Sequence, residues 1–339
     1  MTALAGKKLL VAPLDWGLGH ATRCVPIIRD LLNNNCEVWL AGEGAQEKLL
    51  REEFPLLPFL PLKGYRVKYS KNTLAAKLIF QIPAILRSMK QENNWLKEQV
   101  KHHGFEAMIS DNRYGLHHEK VFSVFITHQL RIKSALGKLS EDLLQIWNYK
   151  LINRFDECWI PDTKGENNLA GELSHPHKLP SIPVKFIGPL SRLKKLPDQE
   201  EKDHLLIVLS GPEPQRTIFE NKIIDEIVNY PGTATILRGL PGEKNILPST
   251  NAIHFYNHMA AEDLNREMMK AEFIIGRSGY STIMDIAAIG KKSILVPTPG
   301  QTEQVYLADH LMKKSLAYCV RQNDFSLKVL DHAREFYSR

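Results

Sequence analysis

The chain has 339 residues and a mass of 38.7 kDa, enough for about two domains with well-buried cores. Hydrophobic residues make up 43% and charged residues 24%, with 20 Gly and 19 Pro, which excludes collagen-like, low-complexity and disordered chains. Lys and Arg outnumber Asp and Glu by 44 to 38, a formal charge of +6, which permits an anionic partner (nucleic acid, an acidic membrane face or a phosphate-bearing ligand) without choosing among them.

The start, Met-Thr-Ala-Leu-Ala-Gly-Lys-Lys, has no long apolar region behind its positive charges, so no secretory signal is expected. Residues 9–13 read as a buried strand and 24–33 as a helix. A second strand at 38–41 and a helix at 46–53 follow, then strands at 107–110 and 121–127. The pattern restarts with a strand at 205–210, a helix at 217–229 and strands at 234–238, 273–276 and 293–297. Short apolar strands between helices predict parallel β-α-β units. Two α/β halves are expected, each a doubly wound sheet. The polar, patternless stretch 191–203 reads as a linker, giving an N-terminal domain of 1–190 and a C-terminal domain of 204–339.

The four cysteines, Cys24, Cys36, Cys158 and Cys319, form no C-x-x-C pair. A reducing cytoplasm is therefore the expected compartment. No window holds about 18 uninterrupted apolar residues, so no membrane-crossing helix is expected.

In such folds the ligand lies at the carboxyl ends of the strands, so the loops after strands carry the chemistry. The first strand runs into Pro13-Leu14-Asp15-Trp16-Gly17-Leu18-Gly19-His20-Ala21-Thr22-Arg23. Gly17 and Gly19 let the backbone turn tightly near a ligand. His20, at the start of the next helix, can face the cleft as a base, since imidazole titrates near neutrality. An ordinary strand-to-helix turn has the same spacing. Residues 274–282, Ile-Ile-Gly-Arg-Ser-Gly-Tyr-Ser-Thr, pass from strand to helix through small polar residues, and a helix start favours a phosphate. Asp285, about one turn further, suits ribose hydroxyls. Ser278 and Ser281 also read as caps, and Asp285 as part of a solvated face. Glu303 and Gln304, after Pro297-Thr-Pro-Gly-Gln301-Thr302, suit sugar hydroxyls or a capping box.

Taken together, Arg277 to Gly290, its continuation through 297–304, Gly17-Leu-Gly-His20 and Phe186-Ile-Gly-Pro-Leu-Ser-Arg192 resemble the inverting GT-B glycosyltransferases of the family 28-like group. That group includes the MurG-type N-acetylglucosaminyltransferases and the diacylglycerol glucosyltransferases. The resemblance implies two Rossmann-like domains facing a central cleft, with the last helix free to pack back on the N-terminal domain. It implies transfer of a hexosyl or N-acetylhexosaminyl group from a UDP-sugar to a glycan or lipid-linked acceptor, with no metal and no cofactor. A UDP-sugar epimerase and a non-catalytic UDP-sugar-binding subunit are the alternatives.

By the same resemblance, Ser278, Gly279, Ser281 and Thr282 hold the diphosphate, Arg277 and Tyr280 belong to the same donor site, and Asp285 binds the ribose. Gln301, Glu303 and Gln304 read the donor sugar, and Phe255 and Tyr256 flank the uracil contact. Arg192 sits near the phosphates or base. His20 is the candidate base or an acceptor-positioning group, oriented by Asp111, with Gly17 and Gly19 on the acceptor side; from its place after a strand, His128 reads either as lining the acceptor side or as a satisfied core histidine. The loop Ser210-Gly211-Pro212-Glu213-Pro214-Gln215-Arg216 departs from the family's Gly/Ser-rich form, because its two prolines remove two N–H donors. Arg216 is the expected source of compensating charge. The sequence contains no Asp-x-Asp motif. His102-His103 and His117-His118-Glu119 lack zinc-ligand spacing, so no metal site is expected.

Residues 74–90, apolar with Lys77, Arg87 and Lys90, read either as a surface for an anionic membrane or as a sheet-packing helix broken or kinked at Pro83. The enzyme is thus expected in the cytoplasm, with peripheral contact to the inner face of the membrane. The basic run 192–195 has no interleaved aromatics, so no nucleic-acid partner is expected.

Overall fold

The computed structural model describes residues 4–65, 74–197 and 199–339, with the side chains of 74–82 outside the described part. The chain divides into two compact units, Met1–Arg192 and Leu193–Arg339.

The first unit runs β1 (Lys8–Pro13), α1 (Leu18–Asn33), β2 (Glu37–Gly42), α2 (Gly44–Glu53), β3 (Phe59–Pro61), α3 (Leu74–His103), β4 (Ala107–Asp111), β5 (Phe122–Ile126), α4 (Lys138–Ile152), β6 (Glu157–Ile160) and β7 (Val184–Phe186). Its strands form one sheet in the order β3-β2-β1-β4-β5-β6-β7, every pairing parallel. Leu9, Leu10, Val11 and Ala12 are fully buried. Helices cover both faces of such a sheet, so its central strands are apolar throughout instead of alternating.

The second unit runs β8 (His204–Val208), α5 (Gln215–Ile227), β9 (Thr233–Leu237), β10 (Ile253–Tyr256), α6 (Ala261–Lys270), β11 (Phe273–Gly276), α7 (Tyr280–Ile289), β12 (Ser293–Leu295), α8 (Thr302–Lys313), β13 (Tyr318–Cys319) and α9 (Val329–Ser338). Its sheet, in the order β10-β9-β8-β11-β12-β13, is also parallel in every pairing. Val329, Leu330 and Ala333 of α9 pack with Phe219, Phe273 and Phe325. The last helix is therefore built into the core of its own unit.

In each sheet the strand order reverses once, between β1 and β4 and between β8 and β11. At such a reversal the two outgoing loops diverge and leave a crevice at the carboxyl ends of the strands. Pro13 stands opposite Asp111, and Val208 opposite Gly276. The loops picked out by sequence are those that open from these two points.

Two helices and five strands differ from expectation. Helix α1 starts at Leu18, six residues before the expected 24. Gly17, at φ 84°, makes a turn that an L-residue resists, and this puts His20 in the first helical turn. Helix α3 passes through Pro83 without a break, since a 30-residue helix absorbs the loss of one donor. Strands β3, β6, β7, β10 and β13, of two to four residues, have no counterpart in the sequence reading.

A buried ion pair braces the first crevice from below. Arg113 Nε donates to Glu92 Oε1 at 2.7 Å, Nη1 donates to the Pro13 carbonyl at 3.1 Å, and Tyr65 Oη donates to Glu92 Oε2 at 2.6 Å. Both charged groups are buried. Arg113→Ala leaves the Glu92 carboxylate uncompensated and should cost about 3–5 kcal/mol, measurable by urea denaturation. A loss below about 1 kcal/mol would mean that water replaces the guanidinium.

Candidate active site

The first unit gathers four side chains at its crevice. His20 comes from the first turn of α1, Arg23 from the next turn, Asp111 from the end of β4 and His128 from the loop after β5. Arg23 and Asp111 are buried, at 2% and 0% exposure. Arg23 donates Nε–H to Asp111 Oδ2 at 2.6 Å, and its Nη2 donates to Oδ1. His20 Nδ1 lies 2.9 Å from Arg23 Nη2 and 3.3 Å from both Asp111 oxygens. His128 Nδ1 lies 3.3 Å from Arg23 Nη1. Burial pushes the Asp111 carboxyl up, but Arg23 and His20 outweigh it and hold the group at about 2. Burial and then the Arg23 charge hold the His20 imidazole below its usual value, against the pull of Asp111. A neutral imidazole beside an ionised carboxylate can accept a proton from a bound hydroxyl.

The second unit builds a different crevice from the loops after β8, β11 and β12. Arg277 follows β11 and is 1% exposed. Its Nη2 donates to the Gln215 carbonyl at 2.9 Å and to Gln322 Oε1 at 2.7 Å, and its Nη1 donates to the Val296 carbonyl at 3.3 Å. Its guanidinium lies 4.4 Å from the Phe219 ring centre. Among the described residues no carboxylate pairs with it, and burial alone lowers it to about 10. Arg277 Nε and Thr298 Oγ1 are buried without a hydrogen-bond partner among the described residues. Gly211, at φ 103°, lies beside Thr298, whose Oγ1 would be 3.5 Å from an added Cβ.

Helix α7 starts directly after Arg277. Its N-cap, Gly279, supplies no side-chain cap, so the first-turn N–H groups keep their partial positive charge for another acceptor. Tyr280, Ile283, Met284, Ile286 and Ile289 bury one face, and Gly290 ends the helix in the left-handed region. A cavity of about 470 Å³ opens where β10 ends, lined by Leu240, Ile246, Ser249, Phe255, Tyr256 and His258 among others. Its size is in the range of small-molecule pockets.

Several expected roles change once side-chain directions are visible. Arg216 supplies no spare charge, because it is paired with Glu213 and Glu220. Arg192 lies in the first unit, ion-paired with Glu53 at 3.0 Å, so its charge is already answered. The Ser278 hydroxyl donates to the Gln304 carbonyl at 2.9 Å, and any anion contact there falls to its main chain. The Gln304 amide is used within the loop, with Oε1 accepting from Thr298 N at 2.9 Å and Nε2 donating to Gln301 Oε1 at 2.6 Å. Tyr280 is a core residue. Ser210, Ser281, Thr282, Asp285, Gln301 and Glu303 are part-exposed at the loop ends and helix starts. Phe255 and Tyr256 line the cavity. Gly17 and Gly19 shape the His20 turn. His103 packs on Trp39, and His117 edges against Phe155.

Sequence reasoning missed Arg23, Thr298 and Gln322. Only Arg23 had a local signal, three residues after His20 and so on the same helix face.

Residues 243–335 match the glycosyltransferase family 28 C-terminal domain. Over 96% of this chain and 88% of the relative, the sequence is 27% identical to a UDP-N-acetylglucosamine–N-acetylmuramyl-(pentapeptide) pyrophosphoryl-undecaprenol N-acetylglucosamine transferase of Haemophilus ducreyi. The namesake from Haemophilus influenzae is 23% identical over 98% and 90% of the two chains. Among solved structures, the glycotransferase of kitacinnamycin superposes with a TM-score of 0.69 at 14% identity, over 96% of this chain and 89% of that one. Acinetobacter baumannii MurG gives 0.59 at 15% identity, over 98% and 91%. The chain is a glycosyltransferase of the GT-B fold, and its second unit carries the family 28 C-terminal domain.

Proposed function

We propose that this enzyme moves a hexosyl or N-acetylhexosaminyl group from a UDP-sugar, UDP-N-acetylglucosamine or another UDP-hexose, to a hydroxyl of a lipid-linked acceptor. The anomeric centre inverts, and no metal serves the donor site. The observation that carries the reading is Arg277, a buried cation with no carboxylate partner among the described residues, directly before the uncapped start of α7. The relatives named for UDP-N-acetylglucosamine transfer align with nearly the whole chain.

In this reading the acceptor oxygen attacks the anomeric carbon. The bond to the β-phosphate oxygen breaks, and UDP leaves with the electron pair. The acceptor proton goes to His20, and Asp111 stabilises the imidazolium. The charge growing on the diphosphate is met by the α7 N–H groups and by Arg277 in a low-dielectric setting. Asp285 holds the ribose, Glu303 reads the sugar, and the cavity at Tyr256 takes the base.

The test is the thermal midpoint of the chain with UDP, GDP, dTDP and CDP, with and without EDTA. At a hundredfold excess over Kd, a ligand of the folded state adds about 2.7 kcal/mol. UDP should raise the midpoint most, with EDTA present or absent. A response to another nucleotide alone, or loss of the UDP response in EDTA, overturns the corresponding part.

A lipid-linked acceptor fits the surface of α4. Leu139 and Leu143 are 83% and 70% exposed. Ile146 and Trp147 continue the same stripe, and Leu136 precedes it. Lys138 and Lys150 are exposed on the same helix. On α3, Leu86, Arg87 and Lys90 are exposed, and Met89 packs with Leu151 of α4. The first half of the expected membrane segment, side chains 74–82, lies outside the described residues. Among the described residues no helix is long and apolar enough to cross a membrane. An apolar helix face beside lysines suits peripheral attachment to the anionic cytoplasmic face of a membrane. The double variant L139E/L143E should lose at least about tenfold in binding to phosphatidylglycerol vesicles, measured by co-sedimentation, with UDP affinity unchanged. Equal binding by variant and wild type would remove α4 from the membrane surface.

A further inference from the structure

The contact between Arg23 and His20 constrains which ring nitrogen carries a proton. A guanidinium has only donors. At 2.9 Å from Arg23 Nη2, His20 Nδ1 therefore accepts, and the proton of the neutral ring sits on Nε2. The competing arrangement, Nδ1–H donated to Asp111, has longer distances of 3.3 Å to both oxygens. One Nδ1 cannot accept from Arg23 and donate to Asp111 at once. Only the second arrangement leaves Nε2 a lone pair with which to take a proton from an acceptor hydroxyl.

We propose that Arg23 is a positioning residue that selects the His20 tautomer, holding both Asp111 oxygens while it occupies Nδ1, so that Nε2 becomes a base only when Nδ1–H turns to Asp111. This rests on the assignment of His20 as the base. The exchange is proton-neutral: Nε2 gives its proton to water, Nδ1 takes one from water, and the ring stays uncharged. Arg23 is placed for this by geometry. It lies one turn after His20 on α1, and the parallel register of β1 with β4 brings Asp111 to the same point. The buried guanidinium keeps Asp111 ionised and supplies a fork that reaches three acceptors.

The groups that act on His20 are Arg23 from α1, Asp111 from β4 and His128 from the loop after β5, and Cys24 of α1 faces Asp111. Cys24 Sγ is 3.8 Å from Asp111 Oδ2, and burial raises the thiol well above its usual range, so it stays neutral. His128 contacts Arg23 Nη1. With Arg23 present, the imidazolium of His20 is disfavoured. Without it, burial still opposes the imidazolium, but the pull of Asp111 is no longer countered by the Arg23 charge, so the ring is easier to protonate. Because a base must be neutral, the acid limb of the pH profile of kcat/KM then moves to higher pH.

The direct test is the protonation of His20 in the wild-type enzyme, read by long-range proton–nitrogen NMR correlation near pH 8. We expect the unprotonated nitrogen to be Nδ1, and Nδ1–H in the ligand-free enzyme overturns the proposal. In R23M the acid limb should move up by about one unit, and the tautomer should become Nδ1–H. R23K keeps the charge without the fork, so its limb should stay in place while the tautomer shifts toward Nδ1–H. An unmoved limb in R23M also overturns the proposal. Should R23M fail to fold, the wild-type spectrum and the R23K profile still decide. The base assignment fails separately, if His20→Ala keeps its kcat.

Discussion

His20→Ala should lower kcat by about 10²–10⁴-fold, the range for loss of a positioned general base, while the Kd for UDP stays within twofold. The split follows from the fold. His20 and Asp111 belong to the first unit, whereas the cavity at Tyr256 and the start of α7 belong to the second. Asp111→Asn should cost nearly as much, because the amide keeps the shape but does not stabilise an imidazolium. The two losses should not add, since the residues act as one unit. The measurement is steady-state transfer from the UDP-sugar that binds best, with UDP affinity read by calorimetry. A kcat within threefold of wild type in His20→Ala would assign proton removal elsewhere. Losses that multiply in the double variant would separate the two roles.

Arg277→Met should weaken UDP binding by about 10²-fold, close to 2.7 kcal/mol, and leave uridine binding within threefold. The guanidinium is 1% exposed and has no carboxylate partner among the described residues, so its charge is screened neither by water nor by a counter-ion. In that setting charge interactions are several times stronger than in water. UDP carries the charge that answers it and uridine does not. Arg277→Lys should recover part of the affinity, since it restores charge without the donors that reach Gln215, Val296 and Gln322. The alternative is a purely structural role, with Arg277 tying the loops after β8, β12 and β13. It predicts equal losses for UDP and uridine and no recovery with lysine. Paired titrations with the two ligands decide between them.

The sequence and the structure divide the site in a regular way. The alternation of short apolar strands with helices was enough to show two doubly wound halves. The strands it hid are mostly edge strands, β3, β7, β10 and β13, where two to four residues give too little pattern for a period to register. The interior strand β6 was hidden in Glu-Cys-Trp-Ile, four residues long. The loops also stood out, because a glycine turn and a small-residue helix start are local chemistry. Gly17 is required by its backbone angle, and the uncapped start of α7 is visible in Gly279-Tyr-Ser-Thr.

What no local pattern held was the direction and charge state of each side chain. Arg216 and Arg277 look alike in sequence, as single arginines in loops after strands. Among the described residues, packing gives Arg216 two carboxylates and Arg277 none, and so of these two Arg277 keeps its charge for a ligand. Ser278 and Gln304 look like ligand-facing polar residues, yet Ser278 donates to the Gln304 carbonyl and the Gln304 amide is used within its own loop. Arg23 acquires its part only because Asp111, 88 positions along the chain, arrives beside it through strand register. The residues alone determined the fold class, the two loop sites and the helix starts, since these depend on neighbours along the chain. Which charges remain unanswered, and which nitrogen of His20 holds the proton, depend on neighbours in space, and only the tertiary structure decided them.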